Sequence, residues 1–181
     1  MNKLNLGCGR DKKPGYLNID NNPACRPDLS HDLNIYPYPL AGNRFKEIIA
    51  DHVIEHLDNP LKFLQELYRL GASGCEVKIS CPHFSGNHIH PLHKTDISTK
   101  LFDFMDKRNS EYYGQAHFKV EKIRLSWLRK TDRGKRANLI VRVLNSAINF
   151  FANLNIALAE RLWCYWVGGF EEIYFKVIII K

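Results

Sequence analysis

Three residues near the amino terminus have the types and spacing to grip a nucleoside. Gly7 and Gly9 bracket Cys8 at the end of a short apolar run, and Asp20 closes a second run in the stretch LNLGCGRDKKPGYLNID. Glycines after a strand leave the main chain bare, so a ligand can approach it without meeting a side chain. A carboxylate ending the neighbouring strand can accept two hydrogen bonds from a ribose diol, which points to a nucleoside-containing cofactor. The dinucleotide fingerprint asks for a third glycine where Lys12 stands, a helix to receive the pyrophosphate, and an acid further along than Asp20. No Gly-Lys-Ser or Gly-Lys-Thr supplies a P-loop. S-adenosylmethionine, a nucleoside without pyrophosphate, suits the pattern better. The plain alternative is a tight turn between two buried strands.

A second group of residues is rich in imidazole. In HVIEHL, His52 and His56 stand four apart with Glu55 beside the second. On a helix that spacing puts both rings on one face, as in the inverted zinc-peptidase motif, so a zinc-dependent hydrolase is a competing reading. Against it, Glu47 to Asp51 reads as a strand and the next helix starts only at Pro60. The stretch CPHFSGNHIHPLHKTD adds Cys81, His83, His88, His90 and His93. Such a loop can hold a metal, supply a general base, or use its histidines only to bond backbone.

The elements that must position these residues follow from periodicity and breakers. Strands are expected at Leu4 to Leu6, Tyr16 to Asp20, Asp28 to Leu33, Glu47 to Asp51, Glu76 to Cys81, Phe118 to Trp127 and Ile173 to Ile180. Arg10 to Gly15 is too short for a full helix. Asn59 and Pro60 form a helix start, Leu61, Leu64, Leu67 and Tyr68 recur at helical spacing, and Gly71 ends the helix. Ile97, Leu101 and Met105 suggest a short helix, and Ala137 to Trp166 a long helical stretch. The pattern predicts an α/β, doubly wound, Rossmann-like sheet, mostly parallel with an antiparallel last strand. One domain over residues 1–181 is expected, with a helical insertion at 133–170 between the last two strands.

Composition is compatible with that reading. The chain has 181 residues, 45% apolar and 12% aromatic, enough for one full core and unlike a disordered segment. Its five cysteines form no Cys-x-x-Cys pair, which favours reduced thiols. With a strand at the very start in place of a signal peptide, a cytoplasmic location is expected. The formal charge of +7 favours acidic partners.

The segments LNLGCG, YLNID, HDLN, IIADHVIEHL, LYRLGASGCEVKISCP and EEIYFKVII, in this order, resemble the class I S-adenosylmethionine-dependent methyltransferases, and in particular small members whose first motif reads like LNLGCG. The resemblance covers Leu4 to about Asp96 and the last strand. It implies a methyltransferase using S-adenosyl-L-methionine, with Gly7, Cys8 and Gly9 along its methionine and ribose, and Asp20 on the ribose hydroxyls. It further implies Asp32 and the main chain of Leu33 by the adenine, and Asp51 and His52 closing the methionine side. No metal is implied. The family's first helix is squeezed into Arg10 to Gly15, which predicts a more open pocket. For a hydroxyl acceptor, such as a sugar or a lipid-linked alcohol, His56, His88 and His93 are the candidate bases. A cofactor-binding module without turnover is the non-enzymatic alternative.

The late helical stretch carries its own signal. Asn138, Arg142, Asn145, Asn149 and Asn153 fall three or four apart, and apolar residues cover the rest, which makes an amphipathic helix. Residues 119–136 before it hold eight Lys or Arg against two acids, and Trp163, Tyr165 and Trp166 follow it. The expected roles are a cap over the acceptor site, a homodimer contact, or peripheral membrane contact through 137–166. Nucleic acid is not an expected partner, because the aromatics fall in a helical pattern instead of a stacking platform.

Overall fold

The computed structural model describes residues 1–86, 90–105, 111, 114–128 and 138–181; His88 and residues 129–137 fall outside this set. Seven strands form one sheet: β1 (Lys3–Leu6), β2 (Leu17–Asp20), β3 (Leu29–Ser30), β4 (Phe45–Asp51), β5 (Gly71–Cys81), β6 (Phe118–Ser126) and β7 (Glu172–Ile179). Their order is β3-β2-β1-β4-β5-β7-β6. The first five pair in parallel, and β7 runs antiparallel to both β5 and β6. The direction of winding reverses at β1, so the carboxyl ends of β1 and β4 diverge and leave a crevice.

One face of the sheet is apolar. Leu4, Leu6, Ile48, Val77, Ile79, Phe175 and Val177 alternate onto it and are fully buried. Helix α1 (Pro60–Leu70) packs Phe63, Leu64, Leu67 and Leu70 into the same core. Asn59 accepts the Lys62 N–H at its start, and the Gly71 N–H returns to Leu67 O at its end. Gly71 itself is extended and opens β5, so that strand begins five residues before the expected Glu76.

The alternate face carries ions. Glu47 bridges Lys3 and Lys78 at 2.8 Å each, Lys78 reaches Glu76 at 2.8 Å, and Lys176 links Glu76 at 2.7 Å to Glu121 at 3.2 Å. The chain of charges crosses β1, β4, β5, β7 and β6. Opposite charges on neighbouring strands stabilise this face of the sheet.

No helix joins β1 to β2. The turn from Arg10 to Tyr16 is instead strapped by two asparagines from the strands themselves. Buried Asn5 donates to Asn18 Oδ1 at 2.9 Å and to Asp11 O at 3.2 Å. Asn18 Oδ1 also accepts the Lys13 N–H at 2.8 Å, and its Nδ2 donates to Tyr16 O and Asp28 Oδ2. These amides satisfy main-chain groups that a helix would have satisfied internally.

Asp28 anchors the strap. A bond from Lys12, then bonds from the Asn18 main chain and side chain, hold its carboxyl at about 2 against an ordinary 3.8. Burial alone would raise the Glu47 carboxyl, but bonds from Lys3, Lys78 and Tyr16 bring it to about 2. Between these values and the ordinary ones the unfolded chain binds more protons than the folded chain. The stabilisation is therefore complete only above the ordinary values of 3.8 for Asp28 and 4.5 for Glu47, and is lost as pH falls towards 2. Asp28→Asn is expected to flatten the fall in melting temperature between about pH 4 and 2; an unaltered slope would show that Asp28 does not contribute.

Three expected elements differ. Asp28 to Leu33 pairs only at Leu29–Ser30, because Asp32 Oδ1 accepts the Asn34 N–H and turns the chain away. Ile97 forms an isolated bridge with His83, and only Asp103–Met105 makes a helical turn, of the 3-10 type. The long helical stretch is broken into α2 (Leu139–Leu154) and α3 (Ile156–Trp166), bent by 108° at Asn155. No described helix is long and apolar enough to cross a membrane by itself.

The orientation of α2 is unusual. Its asparagines face the edge strand: Asn153 Oδ1 accepts Leu125 N–H at 2.9 Å and its Nδ2 donates to Leu125 O at 2.8 Å. Asn149 Oδ1 accepts Trp127 N–H at 2.7 Å, and Asn145 Oδ1 accepts Leu128 N–H at 3.2 Å. The polar stripe thus pairs the main chain at the carboxyl end of β6 and just beyond it, at Leu125, Trp127 and Leu128.

Candidate active site

A pocket of about 450 Å³ opens where the winding reverses, lined by Gly7, Asp20, Asp32, Leu33, His52 and His56 among others. Gly7 has φ +62° and Gly9 +49°, both in the left-handed region. A Cβ on Gly7 would stand 2.4 Å from Val53 Cγ2, so packing against Val53 demands glycine there. A Cβ on Gly9 would meet nothing within 4 Å, so that main chain is open to a ligand. The Gly9 N–H donates to Asp20 Oδ2 at 2.7 Å, and the Asn22 N–H donates to Asp20 Oδ1 at 2.8 Å. Each oxygen keeps a further lone pair, and the carboxylate is fixed facing the pocket.

Other expected residues are distributed unevenly. Asp32 and Leu33 line the pocket, with the Leu33 carbonyl accepting from Tyr38 Oη at 2.9 Å. The Cys8 side chain is buried beneath the loop; its main-chain N–H donates to Ile19 O. Burial first, and Asp20 second, push the Cys8 thiol up, which makes it a packing group and not a nucleophile. Asp51 is exposed and outside the pocket lining, 3.8 Å from His52 Nε2. Asn21, Asn34, Leu57, Leu92 and Lys94 also line the pocket; they had no sequence signal beyond their nearness to the motifs.

HVIEH does not form a two-imidazole helical face. Residues 54–56 are one 3-10 turn and His52 sits at φ +53° before it. The His52 ring lies 3.1 Å from Glu55 Oε1 and 3.2 Å from Glu172 Oε2. His56 turns the other way, with Nδ1 3.1 Å from Leu92 O. A zinc pair on His52 and His56 is therefore not assembled.

The imidazoles that do converge are His56, His90 and His93, with ligand atoms within 4.8 Å of one another. The rings of His90 and His93 stack at 4.8 Å, and His56 meets His93 edge-on at 4.9 Å. The Leu92 carbonyl makes His56 Nδ1 the protonated nitrogen and leaves Nε2 as a lone pair. Burial lowers the His93 proton affinity, with His56 and His90 adding to it against the pull of Glu55. Glu55 is buried, and its Oε2 has no hydrogen-bond partner among the described residues. Three converging imidazoles suit a transition-metal ion or proton transfer equally well. Donors on one zinc ion lie about 3.3 Å apart, so coordination would require the rings to close in.

Cys81 and His83, the other described members of the histidine loop, are structural. Cys81 is fully buried in β5, and burial raises its thiol well above the ordinary value. His83 is buried between Ser85 Oγ at 2.6 Å and Glu160 Oε1 at 3.1 Å. Glu160 also accepts Thr99 N–H at 2.9 Å and the Thr99 hydroxyl. Burial alone would raise this carboxyl; the Thr99 and His83 bonds outweigh it and hold it low.

Five parallel strands, a reversal at β1, and an antiparallel β7 inserted between β5 and β6 define the class I S-adenosylmethionine-dependent methyltransferase fold, and this chain has it. No family model matches the chain and no curated protein matches its sequence. Among solved structures it is similar to a SAM-dependent methyltransferase from Archaeoglobus fulgidus, at 19% identity and a TM-score of 0.60, over 97% of this chain and 85% of that one. A SAM-dependent methyltransferase from Aquifex aeolicus matches at 15% identity and a TM-score of 0.53, over 98% and 81%. The cyclase SpnF matches at 12% identity and a TM-score of 0.59, over 98% and 75%. One of these neighbours carries the name of a different reaction, so the chemistry must be argued from the site.

Proposed function

We infer that the chain is an S-adenosyl-L-methionine-dependent methyltransferase acting on a hydroxyl acceptor, such as a sugar or a lipid-linked alcohol. The observation that carries this reading is the Asp20 carboxylate, fixed by Gly9 and Asn22 beside open main chain, in a pocket at the winding reversal. That arrangement suits a ribose diol, and the loop above it is a turn where a pyrophosphate would need a helix. When bound, S-adenosylmethionine supplies an electrophilic methyl group on a sulfonium. The chain's own task is to hold donor and acceptor in line. His56 lines the pocket, its Nδ1 is held by Leu92 O, and its Nε2 would be placed to take the acceptor's proton. His93, close to His56, is the second candidate base.

Titration calorimetry with S-adenosylhomocysteine and S-adenosylmethionine tests the reading. Saturable binding and a raised melting temperature are expected. Binding of a nicotinamide dinucleotide in preference to either nucleoside would overturn it. A chain that binds the cofactor but transfers methyl to no acceptor class would be a binding module.

A further inference from the structure

The largest feature the site does not use is the outer face of α2 and α3. Because the asparagines point to β6, the apolar side of α2 faces outward. Ile140 is 69% exposed, Phe151 67% and Leu154 66%, and Trp166 on α3 reaches 84%. Contiguous exposed apolar surface on this scale marks an interaction site. None of the described residues of α2 or α3 lines the pocket.

We propose that this face docks on an anionic lipid surface. Charge selects the occupant. Over 138–167 Glu160 is the sole acid, and it is buried and bonded inward to Thr99 and His83. Arg142 and Arg161 are exposed. The sequence entering α2, 119–136, carries eight Lys or Arg and two acids. A two-fold contact between copies sets a face against itself, and this one has two cations and no exposed carboxylate to answer them. Anionic headgroups answer them directly. Neither helix is long and apolar enough to cross a bilayer by itself, and the 108° bend between them leaves both able to lie in the interface with Tyr165 and Trp166 at headgroup depth. The helices leave β6 at its carboxyl end and rejoin the sheet at Glu172, which contacts His52 of the pocket. The docking face and the pocket therefore share one edge of the sheet.

The test is co-sedimentation of the full chain with phosphatidylcholine vesicles, with and without phosphatidylglycerol. Binding to the anionic vesicles is expected to be at least about tenfold stronger and to weaken with salt. Tryptophan emission should move to shorter wavelength as Trp166 leaves water. The triple substitution Ile140→Ser, Phe151→Ser and Trp166→Ser is expected to reduce binding about tenfold without lowering the melting temperature, since each side chain is exposed. Wild-type protein that stays in the supernatant with anionic vesicles, or shows no emission shift, overturns the proposal. So does a concentration-dependent dimer in light scattering that the triple substitution dissociates while vesicle binding is absent. These readouts do not involve the methyl donor, so they stand apart from the calorimetry above.

Discussion

Replacing Asp20 by alanine is expected to weaken S-adenosylhomocysteine binding at least about tenfold, or about 1.4 kcal/mol, in titration calorimetry. Two effects act in the same direction. The first is the loss of a charged acceptor for the ribose diol; hydrogen bonds to charged groups contribute about 1.5–3 kcal/mol. The second is the release of the Gly9 and Asn22 N–H groups, which Asp20 holds at 2.7 and 2.8 Å. Gly9 sits at φ +49°, and that turn loses its side-chain tether when the carboxylate goes. Asp20→Asn separates the two effects, since the amide oxygen can keep one main-chain bond while the charge is lost. An intermediate affinity is expected for it. Asp51→Ala is the control: the residue is exposed and outside the pocket lining, so little change is expected. An Asp20→Ala chain with wild-type affinity would remove the diol assignment.

What was legible in the sequence is what strict local rules govern. A strand that ends in Gly-x-Gly, a second that ends in an acid, and Asn59-Pro60 before a 3.6-residue repeat each have one cheap conformation. The structure has β1, β2 and α1 at those places. The strap from Asn5 and Asn18 was not legible, because a side-chain amide that replaces helical hydrogen bonds leaves no period. The histidines divided by burial, which spacing does not encode: His83 turned inward to Glu160, while His90 and His93 met His56, which lines the pocket. Periodicity in α2 marked a polar stripe and an apolar one, and the usual expectation puts the apolar one inside. Here the neighbour is unpaired main chain at and just beyond the end of β6, which needs donors and acceptors, so the asparagines won the inner side.

Glu160→Ala is expected to cost about 3 kcal/mol of stability in urea unfolding, the largest loss from any single side chain discussed above. Glu160 is the internal anchor of α3. Its carboxylate answers Thr99 twice and His83 once, and His83 is itself buried. Removing it leaves the Thr99 N–H, its hydroxyl and the His83 Nε2 without that acceptor, in a site too enclosed for water to replace it. Local release should accompany the global loss. Limited proteolysis is expected to cut within α3 in the variant, where the wild type resists. Glu160→Gln keeps an oxygen for Thr99 and should lose roughly half as much. A loss below about 1 kcal/mol for the alanine variant would mean that α3 is held by its apolar contacts, Ala159 and Trp163 foremost, and that the buried carboxylate is incidental.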